Sequence, residues 1–155
     1  MKIRNGFVSN SSSSSFCIYG VSLDDGYTDI LKKIKKNSPE SFKKVKEYAE
    51  RYKGDEGYEE IDVNTDEGLE QLAEDDPIEM LDKVLNNKKL DDWDDKPGDL
   101  AIHDPQDGGI YIGVEWKDIG DDETGKQFKA RIEAQLKKIL GKVKCETHEM
   151  AWRDG

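Results

Sequence analysis

The segment between Leu100 and Gly141 constrains the fold more than any other part of the chain. Its middle, residues 110–116, alternates apolar and polar positions with the period of a half-buried strand. A shorter apolar run at 100–103 precedes it, across a loop rich in Pro and Gly that suits a hairpin. Apolar residues then follow with spacings of mostly three and four that line one helical face, at Phe128, Ile132, Leu136, Ile139, Leu140 and Val143, and Gly141 closes the helix. We therefore predict a hairpin followed by an amphipathic helix that begins near Thr124, whose spacing to Gln127 is that of a capping box.

The other elements follow from similar patterns of apolar residues and caps. We predict a strand at 16–23, helices at 27–37 and 39–54, a weak strand at 58–63, a short helix from 65 or 66, a helix from 77, and a strand at 144–153. The helices are too unevenly spaced for regular βαβ units. The pattern favours an α+β fold, a mainly antiparallel sheet of about four strands with helices packed on one face.

The first fifteen residues differ in composition from the remainder. They end in the serine run 11–15, which has little to bury, so we predict a serine-rich leader at 1–15 and a single α+β domain at 16–155. A chain of 155 residues suits one domain. No apolar run is long enough to span a bilayer, so we expect no membrane partner.

Charge is distributed very unevenly along the chain. Residues 55–125 hold 25 acidic and 5 basic side chains, a net −20, whereas both flanking segments are mildly basic. Because phosphate binding needs a basic face, this balance argues against direct nucleic acid binding. We expect instead a protein partner with a basic surface.

The acidic run that follows Leu90 is the candidate partner-binding site. Its proposed contact residues are Asp91, Asp92, Trp93, Asp94 and Asp95. A calcium loop is excluded because, counted from Asp92, Lys96 stands at position five and Pro97 at position six, where an acid and Gly are needed. The tryptophan has two interpretations, an anchor that holds the loop on the core or an aromatic contact for a partner.

No residue pattern indicates catalysis, a metal or a cofactor. Cys145 and His148 have the spacing of half a zinc site, but residues three apart in a strand point to opposite faces, and no second ligand pair is present. A nucleophilic pair of Cys17 and His103 would need a tertiary contact that the spacing does not select. We therefore predict no catalytic, cofactor-binding or metal-binding residues and favour a non-enzymatic role.

Two blocks carry a resemblance. The first is Arg4-Asn-Gly-Phe-Val-Ser-Asn followed by five serines and Phe16, and the second is residues 110–129 with an end near His148 and Trp152. Both resemble uncharacterised small proteins of tailed bacteriophages and prophages. The resemblance implies a phage protein in the cytoplasm of the infected bacterial host or in the virion, and a leader that acts as an address or processing signal. The expected partner is then a host or phage protein.

Three functions remain open at this point. The first is a non-enzymatic accessory protein that binds a host protein in host takeover or defence inhibition, with an acidic, nucleic-acid-like face as its means of binding. The second is a virion-associated or structural phage protein. The third is a small enzyme without a recognisable motif.

Overall fold

The computed structural model describes residues 13–51, 61–105 and 109–153, and these form an α+β fold. Four strands and five α-helices are present in the described residues. In chain order they are β1 (Ser13–Leu23), α1 (Tyr27–Asn37), α2 (Pro39–Arg51), α3 (Asp66–Glu74), α4 (Pro77–Leu85), β2 (Ala101–His103), β3 (Ile110–Glu115), α5 (Gly125–Leu140) and β4 (Glu146–Arg153). A short 3-10 turn, Trp116–Asp118, follows β3. None of these helices is long and apolar enough to cross a bilayer.

The strands form one antiparallel sheet in the order β2-β3-β1-β4. β1 is central and pairs with β3 on one side, where Gly20 lies opposite Gly113. On its other side β1 pairs with β4, where Ile18 lies opposite His148. The predicted fold class, a mainly antiparallel sheet of about four strands with helices, is confirmed.

The hydrophobic core lies on one face of this sheet. Tyr19 and Val21 from β1 and Ile112 from β3 pack there with the buried side chains of the helices. α5 contributes the face that its periodicity predicted, with Phe128, Ile132, Leu136 and Ile139 buried. Its capping box is formed, and Gly141 ends the helix with a φ of 83°.

The opposite face of the sheet is outside this core. Four rings gather there, from Phe16, His103, Tyr111 and His148, which we call the aromatic cluster. His103 stacks on Phe16 with ring centroids 4.3 Å apart. Tyr111 lies 5.3 Å from Phe16 and 5.2 Å from His148. Ile18, on the same face of β1, is fully buried.

Two sequence predictions need correction. β1 begins at Ser13, so Ser13–Ser15, which composition assigned to the leader, pair with the end of β4. A serine can extend a strand when the neighbouring strand supplies the hydrogen-bond partners, which composition does not reveal. The weak strand at 58–63 is also absent at Ile61–Val63, which lead into a turn before α3. Residues 58–60 and leader residues 1–12 lie outside the described residues.

Candidate functional site

The acidic loop, which we define as residues 90–99, connects α4 to β2. α4 begins at Pro77, where the side chain of Asp76 accepts a hydrogen bond from the Glu79 N–H at 3.3 Å. Just after the helix, Asn86 closes the base of the loop. Its side-chain oxygen accepts from the Leu100 N–H at 2.8 Å, and its amide nitrogen donates to the Leu100 carbonyl at 3.0 Å. The Asn86 side chain therefore joins the end of α4 to the residue that follows the loop.

The ammonium of Lys88 organises the middle of the loop. It lies 3.1 Å from Asp82 and 3.0 Å from Asp99, and it donates to the Asp94 carbonyl at 2.8 Å. Its side chain is only 5% exposed. Burial lowers the pKa of Lys88, but hydrogen bonds and charge from Asp99 and Asp82 raise it by more, so the net pKa is above its ordinary value. The lysine is therefore protonated at neutral pH.

The same ammonium explains a group of carboxylates with metal-like spacing. Asp82, Asp95 and Asp99 each offer an oxygen within 4.8 Å of the others. All three surround Lys88, with Asp95 at 3.6 Å. The cation between these carboxylates is thus a side chain of the protein itself, and the group is a structural ion-pair network.

A second buried lysine supports Trp93. Lys83 projects from α4 with 1% of its surface exposed, and its Nζ donates to the Asp92 carbonyl oxygen. The same Nζ lies 4.4 Å from the centroid of the Trp93 ring, a cation–π contact. The rest of the indole is open, because Trp93 is 69% exposed. The interpretation of Trp93 as an anchor on the core is therefore wrong, since a lysine and not the core holds it.

The structure brings the five predicted contact residues onto one surface loop. Asp91, Asp94 and Asp95 are exposed and Asp92 is partly exposed. The Asp92 carboxylate accepts the Asp94 N–H at 3.0 Å, and this backbone hydrogen bond lowers the pKa of Asp92. The loop thus presents several carboxylates, one of them held by a backbone N–H, on the same segment as an exposed tryptophan.

The acidic surface extends beyond the loop. The Gly98 N–H donates to the Asp118 carboxylate at 3.1 Å, which holds the loop against the segment after β3. That segment also carries the exposed residues Asp121 and Asp122. Glu123 is different, since its carboxylate pairs with Arg131 at 2.6 Å.

Sequence reasoning missed Lys83 and Lys88, which build the loop. The available signal is their position, since they are two of the 5 basic residues in segment 55–125 and lie within eight residues of the start of the acidic run at Asp91. Lysines on a helix are ordinarily counted as surface, so this signal would not have been sufficient alone.

The remaining reactive side chains do not form a common site. Cys145 packs against the core, whereas His148 contacts Tyr111 on the opposite face, so the two do not share a ligand position, as their spacing predicted. Cys17 stands between two residues of the aromatic-cluster face and points away from His103, which stacks on Phe16. The structure thus does not bring together the pair of Cys17 and His103.

Neither thiol has the environment of a nucleophile. Burial first, and then the charge of Glu133, raise the pKa of Cys145 to about 11. Burial first, followed by Glu149 and Glu115, also raises the pKa of Cys17. Both therefore remain protonated at neutral pH.

A shallow groove of about 190 Å³ lies among α2, α4 and α5, away from both histidines. Its polar lining includes Ser41, Asn87, Gln135 and Lys138. Glu40 also lines it, so the groove presents no single charge and no pair of a nucleophile and a base.

Comparison of the chain with protein-family models, with curated proteins and with solved structures finds no significant match. A function is therefore inferred from the surface of the chain itself.

Proposed function

We propose that this chain is a non-enzymatic bacteriophage accessory protein that binds a host protein through the acidic loop, in host takeover or defence inhibition. The observation that carries the proposal is Trp93, which is 69% exposed and rests on the buried ammonium of Lys83. An aromatic side chain that is already held in place loses little conformational freedom on binding, and tryptophan is enriched among the residues that dominate interface energies.

The charge of the loop indicates the chemistry of the partner. Asp91, Asp94 and Asp95 are exposed around the indole, while Lys88 neutralises Asp82 and Asp99 behind them. A partner with a basic surface fits this arrangement. Opposite charges attract it over long range and speed the encounter, and the tryptophan contributes short-range contact area.

A nucleic-acid-binding host protein is the most specific version of this partner. DNA presents one charge per about 1.7 Å of its axis, so a protein that competes with it needs rows of carboxylates. The hydrogen bond between the Gly98 N–H and the Asp118 carboxylate supports such a row, since Asp121 and Asp122 follow Asp118 closely in the sequence. The phage origin and the host cytoplasm as the place of action rest on the resemblance of residues 4–16 and 110–129.

The test has two stages. Tagged full-length protein is first used to isolate partners from the bacterial host, and the affinity of a purified partner is then measured at several salt concentrations. Trp93→Ala should weaken binding by tenfold or more, equivalent to about 1.4 kcal/mol. The quadruple variant Asp91→Asn, Asp92→Asn, Asp94→Asn and Asp95→Asn should weaken it by a similar factor and reduce the salt dependence.

A matched control separates the loop from overall charge. The control variant replaces four exposed glutamates on the helices with Gln and changes the net charge equally, at Glu40, Glu67, Glu70 and Glu74. Its affinity should stay close to that of the unchanged protein. Equal weakening by both quadruple variants would mean that net charge alone drives binding, and the proposal would fail.

A further inference from the structure

β4 leaves one long strand edge without a partner among the described residues. It is the last strand in the sheet order and pairs on its inner side with β1. That pairing runs through eight consecutive positions, from Ser13 opposite Arg153 to Gly20 opposite Glu146, without a bulge. The other edge strand, β2, has only three residues.

An unpaired strand edge offers a row of N–H and C=O groups to any extended chain. Proteins usually protect such edges with short strands, bulges, Pro or Lys. β2 is short, but β4 is eight residues long and its sequence Glu-Thr-His-Glu-Met-Ala-Trp-Arg contains neither Pro nor Lys. Among the described residues, β4 is therefore the edge best suited to accept an added strand.

The two faces of β4 differ in chemistry. Glu149 is exposed, contacts the Cys17 thiol, and has no basic side chain within ion-pair distance among the described residues. Glu146 alternates onto the other face, that of His148, and pairs with Lys144 at 3.6 Å. On the face of the aromatic cluster, His148 and Met150 are half-buried and offer an apolar border to a neighbouring strand.

We propose that the outer edge of β4 binds an extended segment of another protein by strand addition, and that this segment alternates basic and apolar side chains. The basic residues lie on the side of Glu149, and the apolar residues lie beside His148 and Met150. Backbone hydrogen bonds supply affinity, and the alternation supplies specificity. This surface is distinct from the acidic loop and does not depend on it.

A second copy of this chain fits the edge less well. Two chains that each carry a net charge of −11 repel one another. In a continuous antiparallel sheet, the pairing centred on Glu149 would also place this carboxylate opposite itself. A basic segment meets neither obstacle.

The test measures amide hydrogen exchange of the full chain by NMR, with a capped eight-residue peptide of alternating Lys and Val as probe. In the free protein, alternate amides of β4 should exchange fast, because the pairing with β1 protects only the others. The peptide should slow the fast set by about tenfold or more. The same peptide with every backbone nitrogen methylated keeps its charge but cannot donate along either edge, and it should have no such effect.

Variants connect the effect to named residues. Glu149→Gln should lower the peptide affinity by about two- to fivefold, as expected for one exposed ion pair, and Glu40→Gln should leave it unchanged. The quadruple variant with Asp→Asn at positions 91, 92, 94 and 95 should preserve slowing of the β4 amides, so failure at the acidic loop and failure at β4 are distinguishable.

Three results would overturn the inference. In the first, the fast set remains fast with saturating peptide. In the second, the N-methylated peptide binds equally well, which would mean attraction by charge alone. In the third, the fast set is already protected in the free protein, and the molecular mass would then show whether a second copy or another part of this chain occupies the edge.

Discussion

Removal of the Lys88 ammonium should destabilise the protein more than any other single change in the acidic loop. The substitution Lys88→Met keeps most of the apolar stem but deletes the charge. Asp82 and Asp99 then lose their ion-pair partner, and the Asp94 carbonyl loses its donor. The two carboxylates also repel one another once the cation between them is gone.

The expected loss of stability follows from how deeply Lys88 and its two aspartate partners are buried. Breaking a buried ion pair by removing one partner costs about 3–5 kcal/mol. Lys88 is 5% exposed, but the side chains of Asp82 and Asp99 remain 22% and 25% exposed, so water reaches them in part. We therefore expect the lower end, a loss of about 3 kcal/mol in the free energy of unfolding. For a chain of this size that lowers Tm by about 6–12 °C.

Denaturant and thermal unfolding of Lys88→Met provide the measurement, with Lys89→Met as the control because Lys89 is the exposed neighbour. Adding Asp82→Asn and Asp99→Asn to Lys88→Met should restore much of the lost stability, since only the solvent-exposed carboxylate of Asp95 then stays without its partner. If Lys88→Met and Lys89→Met agree within about 0.5 kcal/mol, the range of ordinary surface changes, Lys88 does not organise the loop.

Three further perturbations test the remaining structure. Leu136→Ala should cost about 2–5 kcal/mol in denaturant unfolding because the side chain is fully buried, whereas exposed Lys137→Ala should cost far less. Thr124→Ala removes the capping box of α5 and should cost about 1 kcal/mol, and an unchanged midpoint would mean that the cap is not needed. The pKa of Lys88 in the folded protein is raised above its ordinary value of 10.5, so its contribution to stability is fully present below pH 10.5. That contribution is lost as the pH rises through the folded pKa, and Tm should then fall. Lys88→Met should flatten this decline of Tm at alkaline pH.

Local periodicity explains why much of the fold could be predicted. The apolar residues of α5 recur on one helical face, and the structure buries Phe128, Ile132, Leu136 and Ile139 as expected. The alternation in β3 likewise identifies its buried positions. These signals lie within one element and do not depend on the rest of the chain.

The acidic loop could be located from sequence, but its construction could not. Lys83 and Lys88 are buried only because the loop folds back over α4, a contact that no periodicity encodes. Because Trp93 is a large aromatic residue, the sequence suggests that it is buried. In the structure it is held instead by a cation–π contact with the Lys83 ammonium. Ser13–Ser15 show the same limit, because their strand depends on β4 at the far end of the chain.

The facing glycines at the centre of the sheet have a consequence for how this sequence can change. A Cβ on Gly20 would collide with the Ile112 carbonyl and lie 2.5 Å from the Gly113 Cα, and one on Gly113 would lie 2.9 Å from the Gly20 Cα. Neither position can accept a side chain while the strands keep this separation. A slip of β1 against β3 by one residue would bring Tyr19 or Val21 opposite Gly113, and their Cβ atoms would meet the same crowding. The pair therefore fixes the register of β1 against β3, and sequences that keep this sheet should retain glycine at both positions.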